Sequence, residues 1–446
     1  MNRNSKIAAA VAAVLGVGAA GSALAAPPTL AQAQAPFATY YISGSSAAKN
    51  AILGALENDF CGGAANALIF SSTGNTNFFA VACAPSSTTG VSNANSTNVF
   101  TVYYRDEGGS VVGALPLVSG SSINQLNLAG ASCVGNACSV AVGGASGTNG
   151  TTDTFTGVTK QLSDLGVTDV EPGALIGDNY PSAYKTSVYG VASPAQLGGL
   201  TEFDVFQQVF GIFVNIPGHT AICLGSDAVK SLLNTEITDW SKVEDCATHA
   251  LVSSTSLPVV IVNREAGSGS RTATSVWWLK DECIPGFVGV EEDQSVDYFS
   301  TGNVLAAAAT TSGAVTYASI DNNGAQASLV MASIDGVFPT NLAAAQGQYE
   351  FWVESALVVP NYAVSAQATS IQNFLVTDLE NGNTAPHSAQ VNLIPGSGAN
   401  TTPQIPVAGF ANKCSNSACT VATSTAIYVN PFTRLSITCN IPTSVL

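Results

Sequence analysis

Asn263-Arg264-Glu265-Ala266-Gly267-Ser268-Gly269-Ser270-Arg271 is the stretch on which the fold turns. An apolar β-type run at 259–262, opened by Pro258, leads into it, and a helical pattern through Trp277 and Leu279 leads out. A small-residue turn between a strand and a helix is the local reading. Such a turn leaves the first N–H groups of the helix unpaired at the positive end of its dipole, which suits an anion. Arg264 adds a planar fork of donors matched to two oxygens of a tetrahedral anion. The plainer alternative is an exposed Arg264 paired with Glu265.

Two further turns follow the same grammar. Gly44-Ser45-Ser46 closes a β-type run at 39–42 and opens a helical segment over 46–60, with Ile52, Leu53, Leu56 and Phe60 at helical spacing. Gly108-Gly109-Ser110 follows the run at 100–104 and the charged triplet Arg105-Asp106-Glu107. A single turn of this kind only caps a helix in most proteins. Three in one chain, one of them beside an arginine, point to an oxyanion held by Gly109, Ser45, Ser46, Ser110, Arg264, Gly267, Ser268, Gly269 and Ser270. A further strand is expected at 210–216, closed by Pro217-Gly218, and a helix capped by Ser226-Asp227. Short β-rich runs alternating with helical segments indicate an α/β class with mostly parallel sheets. Stretches rich in Ser, Thr, Gly and Asn at 84–98, 119–156 and 395–403 are expected to be surface loops or insertions.

The stretch at 263–271 resembles the R-x-x-GSGT-R signature of the periplasmic phosphate-binding proteins of ABC importers. Other pieces resemble that family in its order: Gly44-Ser45-Ser46 and Gly109-Ser110 its Gly/Ser loops, and Gly166-Val167-Thr168-Asp169-Val170-Glu171-Pro172 its G-x-S-D-x-P segment. Val214-Asn215-Ile216-Pro217-Gly218 resembles a strand that crosses between domains. The stretch at 234–241 is similar to a G-K-I-T-x-W segment, Gly313-Ala314-Val315-Thr316-Tyr317 to a GAIGY strand, and 347–351 to a G-x-Y-P return. The resemblance spans roughly 40–380.

It implies a class II periplasmic-binding-protein fold, with two α/β domains joined by a two-segment hinge and a ligand cleft between them. The expected domains are 36–215 plus 349–446, and 216–348. It also gives Asp169 a role, accepting a hydrogen bond from the proton on bound phosphate. Fully deprotonated sulfate would face that carboxylate with no proton between two acceptors, so Asp169 would discriminate by repulsion. The alternative is a carboxylate that ends a strand or caps a helix. The sequence departs from the family at Ala47, where Thr is usual, at Ala266, where Asp is usual, and at Ser270, which keeps a hydroxyl in place of Thr.

Arg3 and Lys6 precede an apolar run at 7–20 and the small residues Ala23-Leu24-Ala25, which reads as a signal peptide over 1–25 cleaved near Ala25. The expected protein is periplasmic or secreted. No later stretch offers about 20 unbroken apolar residues, and no Cys beside the cleavage site offers a lipid anchor. Formal charge is −16, and loss of Arg3 and Lys6 takes it two units further negative. That excess speaks against nucleic acid and anionic membranes as partners. A buried anion site is governed by its local donors, so it survives the global charge. Ten cysteines behind an export signal indicate disulfides, with connectivity open and short separations such as Cys61 to Cys83 and Cys223 to Cys246 suiting local pairs. His219, His249 and His387 lack metal-ligand spacing, so no metal and no cofactor are expected.

The function expected is capture of a tetrahedral oxyanion, inorganic phosphate first, by a monomer that hands it to the membrane subunits of an ABC importer, without catalysis. A non-transport surface or secretion-associated protein on the same scaffold is one alternative. An exported phosphoester hydrolase is another, opposed by the lack of a histidine near the turns and of a G-x-S-x-G elbow in proper context. Trp277, Trp278, Trp352, Tyr317 and Tyr349 are expected in core or hinge packing rather than a sugar-stacking platform.

Overall fold

A computed structural model of the chain describes residues 26–85, 89–144, 155–181, 183–279 and 296–380, with short strands at 405–406, 420–421, 427–428, 432–433 and 443–444. The expected signal peptide at 1–25, the stretch at 395–403, and Cys283, Cys414, Cys419 and Cys439 lie outside these residues.

The main strands are β1 (Ala38–Gly44), β2 (Leu68–Gly74), β3 (Phe78–Cys83), β4 (Phe100–Arg105), β5 (Ser132–Val134), β6 (Ala137–Val142), β7 (Leu165–Thr168), β8 (Thr201–Asn215), β9 (Val260–Arg264), β10 (Val296–Tyr298), β11 (Ala314–Ser319) and β12 (Trp352–Val359). They form one fourteen-stranded mixed sheet in the order β10-β9-β11-β8-β12-β7-β1-β4-β3-β2-β6-β5, with two further short strands beside β8. β1 runs parallel to β4 and β7 at one side. β9 runs parallel to β10 and β11 at the other. The antiparallel strands β8 and β12 lie between them. The chain is thus α/β as expected, but its sheet is mixed rather than mostly parallel.

β8 is longer than the expected run at 210–216. Residues from Thr201 to Val209 pair with β12, and Phe210 to Asn215 pair with β11, so one strand serves both sides of the sheet. Its buried pattern is continuous from Asp204 to Val214, as in a strand with both faces covered. Each large apolar side chain buried there contributes about 1.5–3 kcal/mol.

The helices that matter for the site are α1 (Lys49–Gly54), α2 (Ala183–Tyr189), α3 (Ser226–Leu233), α4 (Gly269–Thr274), α5 (Thr301–Thr310) and α6 (Ala366–Glu380). The helical segment expected over 46–60 begins as α1 and loosens into a π-helix at Ala55–Phe60. α4 likewise passes into a π-helix at Ser275–Leu279. Ser226 does not cap α3. Gly225 holds the cap position without a side-chain bond, and the Ser226 N–H donates to Asp335 Oδ1 at 2.9 Å.

The stretch at 119–156 is also not a plain loop. It carries a strand at Ile123–Leu126 together with β5 and β6, and β6 alternates exposed and buried residues along Ala137–Val142. Small Ala, Cys and Ser at those positions hid the period of two. Disulfides join Cys61 to Cys83, Cys133 to Cys138 and Cys223 to Cys246. No helix among the described residues is long and apolar enough to cross a membrane.

Trp278, Trp352, Tyr317 and Tyr349 are buried, and Trp277 is half-buried. Trp278 packs edge-on against Phe351 at 5.5 Å. These contacts are core contacts.

Candidate anion-binding site

Parallel strands deliver their carboxyl ends to one edge of a sheet, and the turns beyond those ends are where α/β proteins place ligands. β1, β4 and β7 end in Gly44-Ser45-Ser46, Asp106 to Ser110 and Asp169. β9 ends in Arg264 and the turn that opens α4. These turns come from opposite sides of the crossing strands, and they meet. The Val111 N–H donates to the Gly267 carbonyl at 2.9 Å.

Asp169 lies at the centre, 2% exposed. Ser45 donates to its Oδ1 and Ser270 to its Oδ2, while the Asp169 N–H donates to Ser110 Oγ at 3.0 Å. Asp169 is therefore neither a helix cap nor a bare strand end. Burial pushes its carboxyl above the ordinary range, and the Ser45 bond, the Arg264 charge and the bonds to Ser270 and Ser110 oppose that rise.

Ser45 is held by two roles at once. Its Oγ accepts the Ala47 and Ala48 N–H groups at 3.0 Å each, which organises the start of α1 while its proton goes to Asp169. Gly44 is required just before it: φ is +141°, and a Cβ there would stand 1.9 Å from the Val167 carbonyl oxygen. At Ala47, where the resemblance leads one to expect Thr, no hydroxyl is available. Ser46 is half-buried and its Oγ lies 3.1 Å from Thr301 Oγ1, at the start of α5.

Arg264 is fully buried; the Glu265 charge acts on it, but its hydrogen bonds run to other residues. Its Nη1 donates to Thr301 Oγ1 at 3.0 Å and Ser46 Oγ at 3.4 Å, its Nη2 to the Phe299 carbonyl at 2.9 Å, and its Nε to the Tyr298 carbonyl at 3.2 Å. Four of its five N–H donors thus fix the guanidinium in place, and the fifth belongs to Nη2, which stands 3.2 Å from where a Cβ on Gly109 would be. Glu265 pairs instead with Lys185 Nζ at 2.7 Å. Arg271 Nη1 donates back to the Arg264 carbonyl at 3.2 Å.

Ser268 caps α4 by accepting the Arg271 N–H, and Gly267 donates its own N–H to the Asn179 carbonyl at 2.9 Å. Gly269 is small for a reason. A Cβ there would stand 2.2 Å from Ser110 Oγ and 2.8 Å from Asp169 Cβ. The N–H groups of Ser46, Ser110, Gly269 and Ser270 find no acceptor among the described residues. Ser110, Gly269 and Ser270 are buried, so their N–H groups are costly to leave unpaired.

Of the residues expected from sequence, Ser45, Ser110, Gly269 and Ser270 stand against Asp169 and Arg264 acts on it by charge, whereas Ser46, Gly109, Gly267 and Ser268 lie in the same turns without a contact to it. Sequence reading missed Thr301 and Lys185. Thr301 was legible in principle, because Ser300 caps α5 after a short strand and repeats the strand, turn and helix pattern a fourth time. Lys185 carried no local signal. Its partners are 77 and 81 residues away.

The remaining charges pair locally. Arg105 Nη2 meets Glu107 at 3.1 Å, and Lys49 meets Asp106 at 3.4 Å. Burial raises the Asp106 carboxyl against the pull of Lys49, Arg264 and Arg105. Among the described residues no group of three His, Cys, Asp or Glu side chains is placed to hold a metal ion. His219 Nε2 lies 2.8 Å from the Val252 carbonyl and His249 Nδ1 the same distance from exposed Glu244, so neither belongs to the site.

No family model matches the chain, and no curated protein matches it. Among solved structures it is similar to PstS from Borrelia burgdorferi, at 14% identity over 77% of this chain and 94% of the other, with a TM-score of 0.34. It is similar to a phosphate-binding protein from Stenotrophomonas maltophilia, at 16% identity over 58% and 82%, with a TM-score of 0.37. It is similar also to an ABC-type phosphate transport receptor from Vibrio cholerae, at 17% identity over 48% and 74%, with a TM-score of 0.32. These likenesses are weak overlays, and the site stands on its own geometry.

Proposed function

We propose that the chain is an exported solute-binding protein that captures a tetrahedral oxyanion, inorganic phosphate first, and presents it to an ABC-type importer. The observation that carries this reading is the convergence on Asp169 of Arg264 with buried, unpaired N–H groups at Ser110, Gly269 and Ser270. Neutral donors spread the charge of a dehydrated oxyanion, and one guanidinium at short range supplies the attraction. Asp169 would require a proton between itself and the ligand, which monohydrogen or dihydrogen phosphate carries and sulfate at neutral pH does not.

The turns stand on both sides of β8 and β12. On this reading two lobes, 36–215 with 349–446 and 216–348, close on the ligand about those crossing strands. Such capture needs no bond to be made or broken. Export fits the disulfides at Cys61–Cys83, Cys133–Cys138 and Cys223–Cys246, which oxidising compartments sustain.

A thermal-shift panel of phosphate, sulfate, molybdate and small organic anions tests the proposal. Phosphate is expected to raise Tm with saturating concentration dependence. A flat response to every anion would move the chain to the surface or secretion-associated alternative.

A further inference from the structure

Among the described residues Lys185 is the one fully buried ammonium near the site, and it touches the turn after β4 and the turn after β9. It belongs to α2, a helix anchored one turn further on by Tyr189, whose hydroxyl accepts from Arg105 Nη2 at 3.0 Å at the end of β4. From that anchor the Nζ donates to the Gly108 carbonyl at 3.2 Å, in the turn after β4. It donates also to the Ala266 carbonyl at 2.8 Å and pairs with Glu265 at 2.7 Å, both in the turn after β9. The ring of Phe299, whose carbonyl holds Arg264, lies 5.6 Å from the same ammonium. Asn179, six residues before Lys185, accepts the Gly267 N–H and adds a second tie to the same turn.

We propose that Lys185 is a positioning residue that latches the cleft. Its ammonium spans the two ligand-carrying turns and holds them closed through Glu265 and Ala266. Nothing in the pattern requires Lys185 to touch the ligand. A charge taken out of water needs compensation on every side, and here the compensation is split between the two sides, so separating the turns strips the ammonium of its counter-ion and one carbonyl.

The role in ligand release rests on the cleft being a ligand clamp, whereas the role in closure does not. Small-angle scattering and stopped-flow phosphate release, measured on the full mature chain, separate the two. For Lys185→Met the radius of gyration in phosphate-free buffer is expected to exceed that of the wild type. Phosphate is expected to dissociate at least about tenfold faster while its association rate changes little, since losing one partner of a buried pair acts on the off-rate. Lys185→Arg should restore most of the slow release. If Lys185→Met does not fold by circular dichroism, Glu265→Gln removes the same ion pair with one charge changed and should show both effects.

A wild type that binds no phosphate defeats the proposed function but leaves the scattering comparison decisive for the latch. A folded Lys185→Met or Glu265→Gln variant as compact as the wild type, with an unchanged release rate wherever release is measurable, overturns it.

Discussion

Ser270 donates a hydrogen bond to Asp169 Oδ2 at 3.3 Å, although 101 residues separate them and they approach from opposite sides of the crossing strands. The bond makes Asp169 a shared element of both sides. A carboxylate in that place can select an anion by its proton and can also sense whether the turns have met.

Replacing Asp169 by Asn removes the charge and adds an amide donor of the same size. Phosphate affinity is expected to fall by about tenfold or more, the equivalent of at least one charge-assisted hydrogen bond, and sulfate affinity to rise. Competitive calorimetry with both anions measures the change. A variant that still discriminates as the wild type does would remove Asp169 from the selection.

Gly269→Ala places a Cβ 2.2 Å from Ser110 Oγ and 2.8 Å from Asp169 Cβ. The turn after β9 must back away from Ser110 and Asp169, so ligand affinity should drop by about tenfold or more, and stability by about 1–3 kcal/mol for the collision, offset in part by about 1 kcal/mol from alanine in place of glycine. Calorimetry paired with urea unfolding separates the two effects.

Gly44→Ala is expected to act on the fold instead. A φ of +141° and a carbonyl oxygen 1.9 Å away leave no room for a side chain. The expected loss is about 2 kcal/mol or more, read as a lower urea midpoint, since strain and collision add.

Asp59, in the π-helix at 55–60, and Asp378, on α6, act on one another away from the ligand turns. Burial, first of all, pushes Asp59 up to about 7; burial and then the charge of Asp59 push Asp378 up to about 9. Both values stand above those of the unfolded chain, near 4. The folded state therefore binds more protons between these limits, and the pair's contribution to stability is full below about pH 4 and is lost as pH rises through 7 and 9. Asp378→Asn should flatten that decline and raise Tm at pH 8 by roughly 5 °C. An unchanged pH profile would mean that the pair does not share its proton.

Reduction should cost stability without touching the site, because none of the three described disulfides includes a ligand turn. Cys61–Cys83 closes 22 residues and Cys223–Cys246 closes 23, and each is expected to contribute about 2–4 kcal/mol. Unfolding curves with and without a reductant test this, with loss of the Cys223–Cys246 pair checked by the double substitution to Ser.

The turns were legible because glycine, serine and a lone arginine between a strand and a helix leave few other readings. The α/β class followed from the alternation of elements. Other features were hidden by physics that acts at a distance. β8 reads as a run at 210–216, yet the polar residues Asp204, Gln207 and Gln208 are buried in the same strand, so composition understated its length. β6 was masked by small side chains. The alternative of an exposed Arg264 paired with Glu265 fails because Arg264 is buried and hydrogen-bonds to Thr301, while the chain brings Lys185 to Glu265. Lys185 could not be singled out, since its partners are set by packing of α2 rather than by local pattern.

Isothermal titration of the mature wild-type chain with phosphate and with sulfate at neutral pH tests the central claim most directly. One phosphate per chain, bound with sulfate at least about a hundredfold weaker, is the expected result, as a buried acceptor facing an unprotonated oxyanion costs a few kcal/mol. Equal affinity for the two anions, or heat from neither, would contradict it.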